Sequence, residues 1–142
     1  MSSPTQRTLK ALRDKGYKAG VVERWLRYAG KFGKRQDLFG IIDIIAISPD
    51  KTIGIQACGG SFAEHYKKLT EEFAQASLDW LANPGRSLEI WAWRKVRRKS
   101  KAKKKKKKKK LKKKKIMSMT WKPRIVEITL EDLKCIQICR KL

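Results

Sequence analysis

The chain has 142 residues, with 37 Lys/Arg against 13 Asp/Glu and a formal net charge of +24. That length fits one domain, no apolar run approaches the roughly 18 residues of a membrane span, and the N-terminus, MSSPTQRTLKALRDKG, lacks the apolar core of a secretory signal. Residues 94–115 hold 18 of the basic residues and no acid, which leaves the rest at 19 basic against 13 acidic, or +6, so the extreme charge is local.

Ser3-Pro4 ahead of TQRTLKALRDK has the form of a capped helix start, with Leu9 and Leu12 as its apolar stripe and Gly16 where it should stop. YKAGVVERW alternates as a strand over about 17–25. The basic, glycine-bearing LRYAGKFGKRQ reads as a loop. Strands follow over about 39–47 and 52–58, joined by Ser48-Pro49-Asp50-Lys51. Gly59-Gly60-Ser61 leads into a helix over about 62–82, in which Phe62, Tyr66, Leu69, Phe73, Ala76 and Trp80 recur on one face. Asn83-Pro84-Gly85 ends it, and SLEIWAW is a strand over about 87–93.

The lysine run cannot pack and repels itself, so 97–115 is expected to be a solvated, disordered insertion. It suits a polyanion, but a tolerated low-complexity expansion is as open a reading, and a nuclear address is a third that depends on the host. PRIVEIT reads as a last strand over about 123–129, and TLEDLKCIQIC as a final helix with Thr129 as its N-cap. Cys58, Cys135 and Cys139 have neither disulfide-framework nor zinc spacing and read as reduced thiols of an intracellular protein, in the cytoplasm of a prokaryotic or phage-infected cell. The order α-β-β-β-α-β-β-α implies an α/β fold, a mixed sheet flanked by helices. Residues 1–96 would form the core, 97–115 the insertion, and 116–142 would complete the same domain.

The richest segment is the hairpin DLFGIIDIIAISPDKTIGIQACGGS, Asp37 to Ser61. A carboxylate inside an isoleucine run is costly unless something binds it, and Asp43 is such a group. With Ile47 opposite Thr52, the antiparallel register sets Ile45 against Gly54, Asp43 against Gln56 and Ile41 against Cys58. Gln56 and Cys58 share a face, and directly opposed side chains lie about 5 Å apart, so Asp43, Gln56 and Cys58 are expected to cluster. The alternative is a partly exposed Asp43 paired with a Lys or Arg.

This order and these residues resemble the PD-(D/E)xK nuclease superfamily, and among it archaeal-type Holliday junction resolvases and related phage-encoded proteins. The resemblance covers about residues 4–93 and resumes at WKPRIVEITLEDL. It implies a restriction-endonuclease-like sheet, an endonuclease dependent on Mg²⁺ or Mn²⁺, DNA as partner and a homodimer. In the superfamily pattern an acid on one strand is followed by (D/E)-x-K on the next. IDIIAI puts Asp43 at the first acid; IGIQACGGS puts Gln56 at the second acid and Cys58 at the lysine.

Gln56 brings no charge and Cys58 no ammonium, so a further acid is needed. Glu23, placed with Val21 and Trp25 on one strand face, is the better candidate, and Asp37 reads rather as a cap for the turn before Leu38. Metal ligands are therefore expected to be Asp43, Glu23 and Gln56, and catalytic residues these with Cys58. His65, Lys67 and Lys68 are candidates to replace the missing lysine, although a single histidine such as His65 reads first as a solvated surface group. Arg24, Lys31, Lys34, Arg35, Lys67, Lys68, Arg94, Lys95, Arg97 and Arg98 are expected to hold nucleic acid, and Trp93-Arg94-Lys95 to stack on or clamp its backbone, unless Trp91 and Trp93 pack inward. A nuclease fold that only binds, and a basic RNA-associated structural protein, are the rival readings.

Overall fold

A computed structural model of the chain describes residues 2–28, 30–97 and 119–133. The first helix, α1, runs Pro4–Asp14. Ser3 Oγ accepts the Gln6 amide (3.2 Å) and Gln6 Oε1 accepts the Ser3 amide (3.1 Å), a reciprocal cap ahead of a proline in the first turn. Gly16, at φ +87°, turns the chain out of the helix.

β1 (Lys18–Val21), β4 (Ile44–Ile47), β5 (Thr52–Cys58), β6 (Arg86–Arg97) and β7 (Met119–Ile128) form one mixed sheet in the order β1-β4-β5-β6-β7. β2 (Arg24–Leu26) and β3 (Lys34–Gln36) form a separate antiparallel ribbon. In the five-stranded sheet β5 and β6 pair in parallel and the other neighbours antiparallel. The crossover between β5 and β6 is α2 (Phe62–Lys67), a π-helical turn (Lys68–Glu72) and α3 (Ala74–Leu81). The protein is thus an α/β structure with a mixed sheet flanked by helices.

Alternation along the strands makes two cores. Ile53 and Ile55 of β5 with Trp91 and Trp93 of β6 face Leu12 of α1. Cys58 of β5 with Leu88, Ile90 and Ala92 of β6 faces Leu69 and the α2–α3 layer. Trp93 Nε1 donates to Thr8 Oγ1 (2.8 Å), which ties β6 to α1 in the buried interior.

Several expectations are corrected. The strand over 17–25 is two, because the amides of Val22 and Glu23 turn to the Asp43 carbonyl (2.9 and 3.3 Å) and the chain then leaves the sheet. Glu23 therefore lies between strands and not on a strand face with Val21 and Trp25. LRYAGKFGKRQ is not all loop, since its end forms β3. The strand over 39–47 begins only at Ile44, after a turn through Phe39 and Gly40, both at positive φ. The helix over 62–82 is broken at Phe73 (φ −116°, ψ 32°). β6 and β7 outrun their apolar segments because they pair with each other as far as Arg97↔Met119, so backbone bonds carry polar residues along.

Thr129 does cap a helical turn: its amide donates to Asp132 Oδ2 (2.8 Å) and its Oγ1 accepts the Asp132 amide (3.4 Å). The helix beyond Leu133, Cys135, Cys139, Arg98 and the 97–115 insertion after Arg97 lie outside the described residues. Among the described residues no helix is long and apolar enough to cross a membrane.

Candidate metal centre

Asp43 stands where β4 begins, and its main chain is held on both sides. Its amide donates to the Ile55 carbonyl (2.9 Å), although the ladder gives Ile55 to Ile44, so two residues share one partner in a bulge. Ile47 opposite Thr52 and Ile45 opposite Gly54 are as read from the sequence, but the ladder ends at Ile44↔Ile55, so the expected pairs Asp43–Gln56 and Ile41–Cys58 are not part of it. The bulge leaves the Asp43 side chain over β5, where Oδ1 accepts from Gln56 Nε2 (2.7 Å) and Oδ2 from the Ala57 amide (3.0 Å). Asp43 is only 5 % exposed. The alternative of an exposed Asp43 paired with a cation does not hold.

Asp37 is placed here by the turn that follows it, in which the Gly40 amide donates to the Asp37 carbonyl (3.2 Å). Its carboxylate accepts from Gln56 Nε2 (3.3 Å) and forms an ion pair with the Lys68 ammonium. Asp37 is therefore more than a turn cap, and sequence reasoning ranked it too low. Glu23 sits beside both, bonded to Arg35 Nη1 (3.2 Å). One carboxylate oxygen from each of Glu23, Asp37 and Asp43 lies within 4.8 Å of the others. Gln56 is 2 % exposed, and its Oε1 has no hydrogen-bond partner among the described residues.

The electrostatics follow from this crowding. Burial, then the neighbouring Asp37 charge and more weakly Glu23, push Asp43 up to about 7. Burial also works to raise Asp37, but its bond to Lys68 leads the opposing effects and holds it below the usual carboxylate range. Glu23 and Asp37 each have a cationic partner; among the described residues Asp43 has none. One buried carboxylate, Asp43, thus stands without a cation, and the acid cluster could hold a metal ion.

The remaining predicted residues divide. Cys58 is buried in the apolar cluster under α2 and is absent from the converging ligand atoms. Burial first, then the Asp43 charge, push its thiol up, so it stays neutral. Lys68 reaches the acids from the π-helical turn, whereas Lys67 points out and is exposed. His65 is half-buried, with Nδ1 unpartnered among the described residues; burial and then Lys68 hold it below the usual histidine range. Trp91 and Trp93 are both buried, with Trp91 Nε1 bonded to Glu89 (2.8 Å), so neither clamps a backbone. Trp121 is covered by Arg7 (3.7 Å) and Lys95 (5.3 Å).

Arg24, Lys31, Lys34, Arg94, Lys95 and Arg97 are exposed. A cleft lined by Val22, Arg24, Gln36, Asp37, Leu38 and Phe39 opens beside the acids. No family model matches the chain, and no curated protein or solved structure matches it.

Proposed function

We propose that the chain is a metal-dependent endonuclease of the PD-(D/E)xK type that hydrolyses DNA phosphodiesters, with Holliday junctions or other branched DNA as substrate. The observation that carries this reading is the convergence of Glu23, Asp37 and Asp43, one carboxylate oxygen of each lying within 4.8 Å of the others. The acid just before β4 and the Gln-x-Cys on β5 belong to antiparallel neighbours, in keeping with a restriction-endonuclease-like core. Three carboxylates are hard donors and fit Mg²⁺ or Mn²⁺; Gln56 could add its amide oxygen only if its side-chain amide turned over. When bound, such an ion polarises a phosphoryl oxygen and acidifies a water.

The chain's own residues do the rest. Asp43, near half-protonated at neutral pH, releases its proton when a cation takes its place. Lys68 supplies, from the far side of Asp37, the ammonium that the superfamily pattern carries where this chain has Cys58. It is positioned to steady negative charge on the scissile phosphate. The exposed cations of the ribbon and of the outer end of β6 hold the DNA backbone. A homodimer follows from the same resemblance.

One observation favours the binding-only rival: the Gln56 amide already donates to both Asp43 and Asp37, where the ion is to be held. Titration with Mn²⁺ by calorimetry, beside cleavage of four-way junctions, duplex and single strands, separates the two. The nuclease reading expects cutting with Mg²⁺ or Mn²⁺, lost by about 100-fold or more in Asp43→Asn and Lys68→Met and unchanged in Lys67→Met. Lys68→Met should keep Mn²⁺ binding, and Gln56→Glu should tighten it by about 10-fold through the added charge. A wild type that binds junctions but neither cuts them nor takes up Mn²⁺ is the binding-only protein.

A further inference from the structure

The β2–β3 ribbon has no buried residue in its strands and belongs to neither core. Yet it carries three large aromatic side chains, with Trp25 54 %, Tyr28 98 % and Phe32 84 % exposed. Single exposed apolar residues are ordinary, but three within eight positions of a two-stranded ribbon call for a partner. The backbone is shaped for one of them. Gly33, at φ +75°, lies under the Trp25 indole, where an added Cβ would stand 2.6 Å from the ring. Trp25 is thus propped on one side while more than half of it stays in solvent.

Charge narrows the partner. Arg24, Arg27, Lys31, Lys34 and Arg35 are all exposed, and no acid lies between Glu23 and Asp37. Arg35 is paired with Glu23, and the four other like charges on each copy oppose self-association through this face. Cations interleaved with aromatic rings match a nucleic acid strand, in which phosphates alternate with stackable bases. A paired duplex hides its base faces, whereas an unpaired segment offers them. The position of the ribbon favours nucleic acid over an anionic membrane surface, since Glu23 and Asp37 stand at its two roots and both belong to the acid cluster.

We infer that the ribbon is a stacking platform for unpaired nucleotides, which it presents to the acid cluster. The inference rests on the nuclease reading for its biological sense, but stacking itself is measurable without metal. The experiment is binding of the full chain in EDTA to three fluorescent probes of equal charge: oligo-dT, the same oligomer with abasic sites, and a duplex. It compares wild type with Trp25→Ala/Tyr28→Ala/Phe32→Ala and with the ring-preserving Trp25→Phe/Tyr28→Phe.

The alanine variant is expected to lose about 10-fold or more in affinity for oligo-dT, with little change on the abasic strand or the duplex. The ring-preserving variant should bind like wild type. Equal losses on all three probes, or none, overturn the inference, as does a loss confined to phosphatidylserine vesicles measured in parallel. If stacking holds while no substrate is ever cut, the nuclease reading alone fails. If cutting holds and the alanine variant binds oligo-dT like wild type, the platform alone fails.

Discussion

Asp43 carries its charge at a cost that pH can reveal. Its folded pKa of about 7 stands above the ordinary 3.8, so between those values the folded chain holds a proton that the unfolded chain has released. Stability contributed by this group is full below about pH 4 and lost as pH rises through about 7. Asp37, held below its ordinary value, acts at lower pH and does not cancel the effect. In EDTA, wild type should therefore lose about 2–4 kcal/mol relative to Asp43→Asn between pH 4 and pH 8, read by urea unfolding. A difference that does not change across that range would remove the buried-charge account. Of the residues involved, Asp43 and Gln56 were legible in the sequence because hairpin register is local arithmetic. Asp37 and Lys68 were among the candidates but could not be singled out: one depends on a positive-φ turn and the other on a helix irregularity, and neither has a periodic signature.

The crossover is where helix pattern and helix geometry part. Phe62, Tyr66, Leu69, Phe73, Ala76 and Trp80 keep a three-to-four spacing that reads as one helix, yet the Phe73 amide donates to the Lys68 carbonyl, five residues back (2.9 Å). Ser77 Oγ, donating to the Leu69 carbonyl (2.7 Å), satisfies an acceptor near the break. A single wider turn hardly disturbs an apolar stripe, so sequence could not show it. The Phe73 ring in turn seats on Gly40, at φ +74°, where an added Cβ would stand 2.5 Å from it. Gly40→Ala should cost about 1–3 kcal/mol in chemical denaturation, from backbone strain and displacement of the ring. It should also weaken Mn²⁺ binding, since the same turn sets Asp37. The ribbon was misread for a related reason: Gly30 and Gly33 look like loop punctuation, but both serve a return of the chain at positive φ.

At the scale of the molecule, layer order and the mixed sheet were legible because strands alternate and α1 and the crossover are amphipathic. Strand ends were not, since β6 and β7 continue by mutual pairing into Lys/Arg-rich sequence. Their last pair, Arg97↔Met119, brackets residues 98–118. Replacing those residues with an Asn-Gly turn should leave the melting temperature within a few degrees, because the ladder survives. It should flatten the salt dependence of duplex binding, as fewer counterions are released. A large fall in melting temperature would show that the tract helps to hold the sheet.

The Thr8–Trp93 bond has a temporal side. It joins residues 85 positions apart, so the cover that β4 and β5 give α1 is completed only once β6 is made. β6 in turn gains its second neighbour, β7, only after the lysine run has passed. Such distant closures slow folding, and a nascent chain halted before Trp93 would lack this tie and part of the cover over Leu12.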